Sequence, residues 1–125
     1  MAPELFYENL RREIAASNRE QKSLTIISIV VPQRKLSIES ETEFQFAERL
    51  IKIASKIDLG TRADEYFSRI SENGFWILIR GRAANAQIAV KRAELDPDIQ
   101  VDIIEREEGE TLLQWIHRVD LVHFR

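Results

Sequence analysis

Residues 62–79 constrain the fold more than any other part of this chain. They read as two apolar strands folded back on each other through Asn73-Gly74, the dipeptide best suited to a two-residue type I′ turn. Past the turn, Phe75, Ile77 and Ile79 define one face of a strand and Trp76 with Leu78 the other. In a sheet covered on one side only, one of these sets must find a partner.

The remaining segments supply the elements such a hairpin would join. Phe6, Leu10 and Ile14 recur every four residues, so a helix is expected over Pro3 to Ser17, opened by Pro3. Leu24 to Val31 is almost continuously apolar and β-branched, as expected of a central strand buried on both faces and ended by Pro32. Ser40-Glu-Thr-Glu43 is a capping-box pattern for a second helix, with Ala47, Leu50, Ile51, Ala54 and Ile57 along its apolar face and Gly60 as its stop. A third helix is expected from Ala83 to Glu94, before Pro97. A strand follows from Ile99 to Ile104, then a charged, solvated connection from Glu105 to Glu110 and a helix from Thr111 to Phe124. Stripped of its ends the order is βαββαβ, which predicts an α+β, ferredoxin-like core with an antiparallel sheet covered by helices.

Composition narrows the function classes. A chain of 125 residues is expected to be a single domain over residues 1–125, and a net charge of −3 gives no general attraction to nucleic-acid polymers or anionic membranes. Without cysteine there are no disulfides, thiolate metal sites or cysteine nucleophiles. That fits a reducing compartment, and a cytoplasmic location is the expectation. The N-terminus lacks the apolar core of a signal peptide, and Leu24 to Val31 is too short to span a bilayer.

Several motifs, taken in order, resemble those of the GGDEF domains, the family of diguanylate cyclases. Ser71-Glu72-Asn73-Gly74-Phe75 stands where the family places Gly-Gly-Asp/Glu-Glu-Phe, and Arg62-x2-Glu65-x3-Arg69 precedes it at the spacing of the family's Arg-x2-Asp-x3-Arg. Phe6-x3-Leu10-x3-Ile14 with Leu24 to Ile27 is similar to the lead-in helix and first strand. Phe46-Ala-x2-Leu50-x3-Ala54 is similar to the helix beneath the active site, and Leu112-Leu-x6-Asp120-Leu-Val-x-Phe124 to the closing helix. The family's entry segment Asp-x-Leu-Thr-Gly-x-x-Asn-Arg is not found. The chain is therefore expected to be a piece of a longer protein or not to take input from an attached sensor in the usual way.

The resemblance implies a scaffold without its chemistry. Active members join two GTP molecules with divalent metal held by an Asp on the first strand and an acid in the hairpin. Leu24 to Val31 has no acid, and the hairpin's acidic pair falls on Asn73 and Gly74. Glu72 falls on a family Gly, where its side chain would crowd the phosphate. The base-contacting stretch after the first strand has no counterpart in Pro32 to Thr42. A degenerate, non-catalytic signalling domain is expected, with no catalytic residue, metal ligand or cofactor assigned, acting through a protein partner or a homodimer.

Some residues carry two readings. The resemblance places Arg62 and Glu65 on the family's product-inhibition site, with Arg92 able to add a second guanidinium, which would make the chain a cyclic di-GMP receptor. The simpler reading is a solvated ion pair worth little. Asn73-Gly-Phe-Trp-Ile-Leu-Ile faintly echoes the aromatic strand of RRM-type RNA-binding modules, although the first strand has no aromatic for stacking. Trp115 lies on the apolar stripe of Leu112, Ile116 and Val119 and is expected in the core. His117 and His123 are poorly spaced to share a metal and receive no chemistry.

Overall fold

The computed structural model describes residues 3–32, 42–57 and 67–124. Its elements are α1 (Pro3–Glu20), β1 (Leu24–Val30), α2 (Glu43–Lys56), β2 (Phe67–Ser71), β3 (Gly74–Arg80), α3 (Ala83–Ala93), β4 (Gln100–Glu105) and α4 (Leu112–His123). The strands form one antiparallel sheet in the order β2-β3-β1-β4. The expected ferredoxin-like βαββαβ core is present, with β1 in the centre as its apolar run required. Among the described residues no helix is long and apolar enough to cross a membrane.

Helices cover both faces of the sheet, so both side-chain sets of β3 are buried within the chain. Phe75, Ile77 and Ile79 pack with Ile27, Ile29 and the α2 and α3 residues Phe46, Leu50, Ala86 and Ala89. Trp76 and Leu78 pack with Ile26 under the α1 and α4 residues Phe6, Leu10, Trp115 and Val119. Trp76 is 0 % exposed, with Phe6 and Tyr7 against its ring. The outer helices therefore meet the need for a partner that a one-sided sheet would have left open. Trp115 is buried as expected, its indole N–H donating to the Ile104 carbonyl at 3.2 Å.

Three local expectations are corrected. Helix α1 runs three residues beyond Ser17 and stops where Gln21 adopts φ 54°, with the Ser17 hydroxyl donating to the Lys22 carbonyl. The capping box of α2 is Thr42–Gln45 rather than Ser40–Glu43, with Gln45 N–H donating to Thr42 Oγ1 and Thr42 N–H to Gln45 Oε1. The buried face of α2 is Phe46, Leu50, Ile53, Ala54 and Ile57, while Ile51 is 59 % exposed. That frame keeps the same helical spacing but buries a phenyl ring instead of the Ala47 methyl. Since a fully buried Phe contributes about 1.5–3 kcal/mol, it wins. The expected stop at Gly60 lies outside the described residues.

The connection expected to be solvated is in part a buried clamp. Glu110 is buried, and its carboxylate accepts from Arg118 Nε and Nη2, both at 2.7 Å, and from Glu107 N–H at 3.0 Å. Arg118 also donates to the Glu105 carbonyl, and Glu105 caps α3 by accepting from Ala83 N–H at 2.7 Å. The hydrogen bonds from Arg118 are the main reason the Glu110 carboxyl titrates below its ordinary value of 4.5. A carboxyl lowered on folding contributes stability that is present above pH 4.5 and lost as pH falls through the folded value. Glu110→Gln is expected to cost about 1–2 kcal/mol in urea denaturation at pH 7 and to flatten the loss of stability on acidification. An unchanged midpoint at pH 7 would show the clamp to be idle.

Candidate functional site

The β2–β3 turn closes on Ser71 paired with Gly74, which makes Glu72-Asn73 the two-residue loop, not Asn73-Gly74. A register shift between Arg69 and Ser71 accommodates the change. Neither Asn73 nor Gly74 is among the positive-φ residues, so the expected type I′ turn, which needs φ > 0 at both central positions, does not form. The turn is held from outside. Asn73 accepts at its carbonyl from Val31 N–H at 2.8 Å, and the Arg69 guanidinium donates to the Glu72 carbonyl. This fixes the loop to the outgoing end of β1.

Gly74 is required by space rather than by dihedral angle. A Cβ placed there would lie 2.5 Å from His123 Cε1, 2.6 Å from His123 Nε2 and 2.8 Å from Ser71 Oγ. The imidazole of His123, from the last turn of α4, is buried against the turn under the exposed ring of Phe124. Its Nδ1 accepts from the Trp76 indole N–H at 3.1 Å and lies 2.7 Å from Ser28 Oγ. Its Nε2 is 2.9 Å from Ser71 Oγ.

The indole can only donate, so Nδ1 carries the lone pair and the ring proton sits on Nε2, which donates to Ser71. That tautomer cannot serve as general base for the Ser71 hydroxyl, because the nitrogen facing the serine is already protonated. Ser28 Oγ does face the Nδ1 lone pair, but Ser28 is fully buried, so the cluster is a polar tie between α4, β1 and the hairpin. Sequence reasoning gave His123 no role. The signal was its spacing, since Trp115, Val119 and His123 recur every four residues and place the imidazole on the buried face of α4.

Of the other expected site residues, the described ones lie apart from this cluster. Arg62 and Glu65 lie outside the described residues, as does most of Pro32 to Thr42. Arg92 is exposed in the last turn of α3, and Glu72 is exposed in the turn. At the hairpin end of the sheet the Arg49 and Arg69 guanidinium carbons lie 5.3 and 6.0 Å from the centre of the Phe46 ring, an edge that sequence reasoning did not single out. An open groove of about 600 Å³ at the opposite end mixes Lys22, Arg82 and Arg106 with Glu105, Glu107 and Glu108.

A divalent cation does not fit the described hairpin. Gly74 offers no donor and His123 fills the adjoining space, and β1 presents only apolar and hydroxyl side chains. Among the described residues, no three His, Asp or Glu side chains are grouped to hold a metal. RRM-type base stacking needs an open sheet face, and helices cover both.

Two outcomes are expected at this cluster. Gly74→Ala should destabilise by about 1–3 kcal/mol. The double variant Gly74→Ala/His123→Ala should lose less than the sum of the single losses, because the clash disappears with the ring. Additive losses would place the strain elsewhere. Burial chiefly holds the His123 pKa below its ordinary 6.5, with Asp120 and Asp102 pulling the other way. Folding therefore favours the neutral ring, and its contribution is complete above pH 6.5 and declines as pH falls through the folded value. In denaturation series from pH 7.5 to pH 5, His123→Gln should remove part of the acid sensitivity. A slope identical to that of the unmodified chain would contradict the assignment.

No family model matches the sequence, and no curated protein matches it significantly. A likeness appears in three dimensions. The crystal structure of a DGC protein from Thermotoga maritima is similar over 96 % of this chain and 92 % of that one, with a TM-score of 0.65 and 19 % sequence identity. At that identity the likeness carries the fold alone. The chain has an α+β, ferredoxin-like architecture, shared with that DGC protein over nearly its whole length.

Proposed function

We propose that this chain is a catalytically inactive GGDEF-like domain that works as a regulatory or protein-interaction module. DGC is read here as diguanylate cyclase, in line with the motif resemblance. The observation that carries the proposal is the side chain in the space beside Gly74. The resemblance puts the second acid of the signature motif at that position, and any Cβ there would strike the imidazole of His123. A carboxylate cannot be restored without removing part of the packing that holds α4 to the hairpin. With β1 also free of acids, the phosphates of GTP would meet no bridging metal, and the exposed Glu72 would repel them.

Among the described residues both faces of the sheet are packed under helices, so the scaffold is kept, while the described hairpin and β1 offer no cluster of acids for metal-assisted phosphoryl transfer. Such a domain acts through what it binds. Incubation with GTP and Mg²⁺ or Mn²⁺ is expected to give no cyclic dinucleotide, and Gly74→Glu is expected to destabilise the fold rather than to raise turnover. Formation of cyclic di-GMP by the unmodified chain would end the proposal. A calorimetric titration with cyclic di-GMP separates an interaction module from a nucleotide receptor. Heat that disappears in Arg62→Ala would favour the receptor.

A further inference from the structure

The space beside Gly74 is filled by one side chain from the last residue of α4, and that side chain can be charged. We infer that the last turn of α4 is an acid-opened latch, in which protonation moves the His123 imidazole out from beside Gly74 while the rest of the helix stays docked. This holds whether or not the domain turns over GTP.

The hydrogen bonds suit only the neutral ring. Nδ1 faces the Trp76 indole N–H at 3.1 Å and the Ser28 hydroxyl at 2.7 Å. A proton on Nδ1 would point one donor at another, because neither the indole N–H nor the imidazolium can accept. Ser28 can accept the new proton, but the indole is then left without its acceptor and a charge is left buried. The charged neighbours are Asp120 on α4 and Asp102 on β4. Burial outweighs their pull and keeps the pKa below 6.5. From β1, β2 and β3 come Ser28, Ser71 and Trp76, and from α1, against the Trp76 ring, comes Tyr7, whose pKa is raised by burial and by Asp120. None of these four side chains can neutralise an imidazolium.

The packing makes the opening local. Beyond the ring, the last turn is held by the half-buried Val122, whose carbonyl accepts from Gln100 Nε2 at 3.0 Å, while Phe124 is exposed. Upstream, Trp115 and Val119 are fully buried and Arg118 is clamped to Glu110, so the helix keeps anchors that do not involve His123. The buried cluster on the other face of the sheet is apolar throughout and does not respond to acid. The Glu110 carboxyl titrates below 4.5, so the two ends of α4 answer to acid separately. With the ring out, the Ser28 and Ser71 hydroxyls and the Trp76 indole N–H line a recess beside the bare Gly74, and the hairpin presents a different surface. Low-stability segments at an element's end are where such switches are found.

The two tryptophans read the latch in the unmodified full chain. The Trp115 indole N–H, bound to the Ile104 carbonyl, reports the half of α4 that stays docked. Hydrogen exchange followed by NMR from pH 7.5 to pH 5 is expected to show the Trp76 indole proton accelerating relative to that of Trp115. The ratio should rise by up to about tenfold per pH unit as pH falls from 6.5 toward the folded pKa of the ring. Amides of residues 122–124 should lose protection with it, and those of β1 and β3 should not. His123→Gln, which can accept from the indole and donate to Ser71 without titrating, should hold the ratio constant. A ratio in the unmodified chain that ignores pH, or indoles and strand amides that open together, would overturn the inference even if the variant fails to fold. A ratio that still rises in a folded His123→Gln chain would do the same.

Discussion

The contact on which the rest depends is the hydrogen bond from the Trp76 indole to His123 Nδ1. Because the indole is an obligate donor, it fixes the imidazole as a neutral ring whose remaining proton faces Ser71. A buried polar group is tolerable only when its partners are supplied, and here three elements supply them. Trp76 comes from β3, Ser28 from β1 and Ser71 from the end of β2. The ring thereby closes α4 over the sheet and occupies the space in which a side chain at position 74 would stand. One interaction thus couples the packing of the last helix to the composition of the turn.

This coupling explains why position 74 of the hairpin carries no side chain. A turn that binds metal and phosphate must present carboxylates to the metal. Here the loop is stitched to protein instead, through Val31 N–H on the Asn73 carbonyl and Arg69 on that of Glu72. The stabilisation comes from within the chain. The same economy appears at the far end of α4, where Arg118 and Glu110 satisfy each other and order the approach to the helix.

The architecture was legible because it rests on periodicity. The spacing of Phe6, Leu10 and Ile14, the unbroken apolar run of β1 and the alternation in β3 are local patterns with one packing solution. Errors arose where two local solutions compete and long-range contacts choose between them. Thr42 and Ser40 both open plausible capping boxes. Both Phe46–Ile53 and Ala47–Ile51 fit a helix face, and only the depth of the cavity over β1 and β3 decides. Asn73-Gly74 carries the preference for a type I′ turn, but the imidazole arriving from 49 residues downstream makes Gly74 a spacer and moves the loop back by one. The candidate site was least legible for the same reason. His123, Ser28, Ser71 and Trp76 are far apart in sequence, and only the β2-β3-β1-β4 order brings them together. The Glu110–Arg118 clamp was hidden in a run of acids that looks solvated from composition alone.

The tautomer of His123 tests this account most directly. Long-range ¹H–¹⁵N correlation spectra of the imidazole at neutral pH should give Nδ1 the shift of an unprotonated nitrogen and Nε2 that of a protonated one, with a slowly exchanging Trp76 indole proton. A charged ring, a proton on Nδ1, or an indole N–H that exchanges as in free solvent would mean that the ring is not lodged beside Gly74. The space for an acid in the turn would then be open after all.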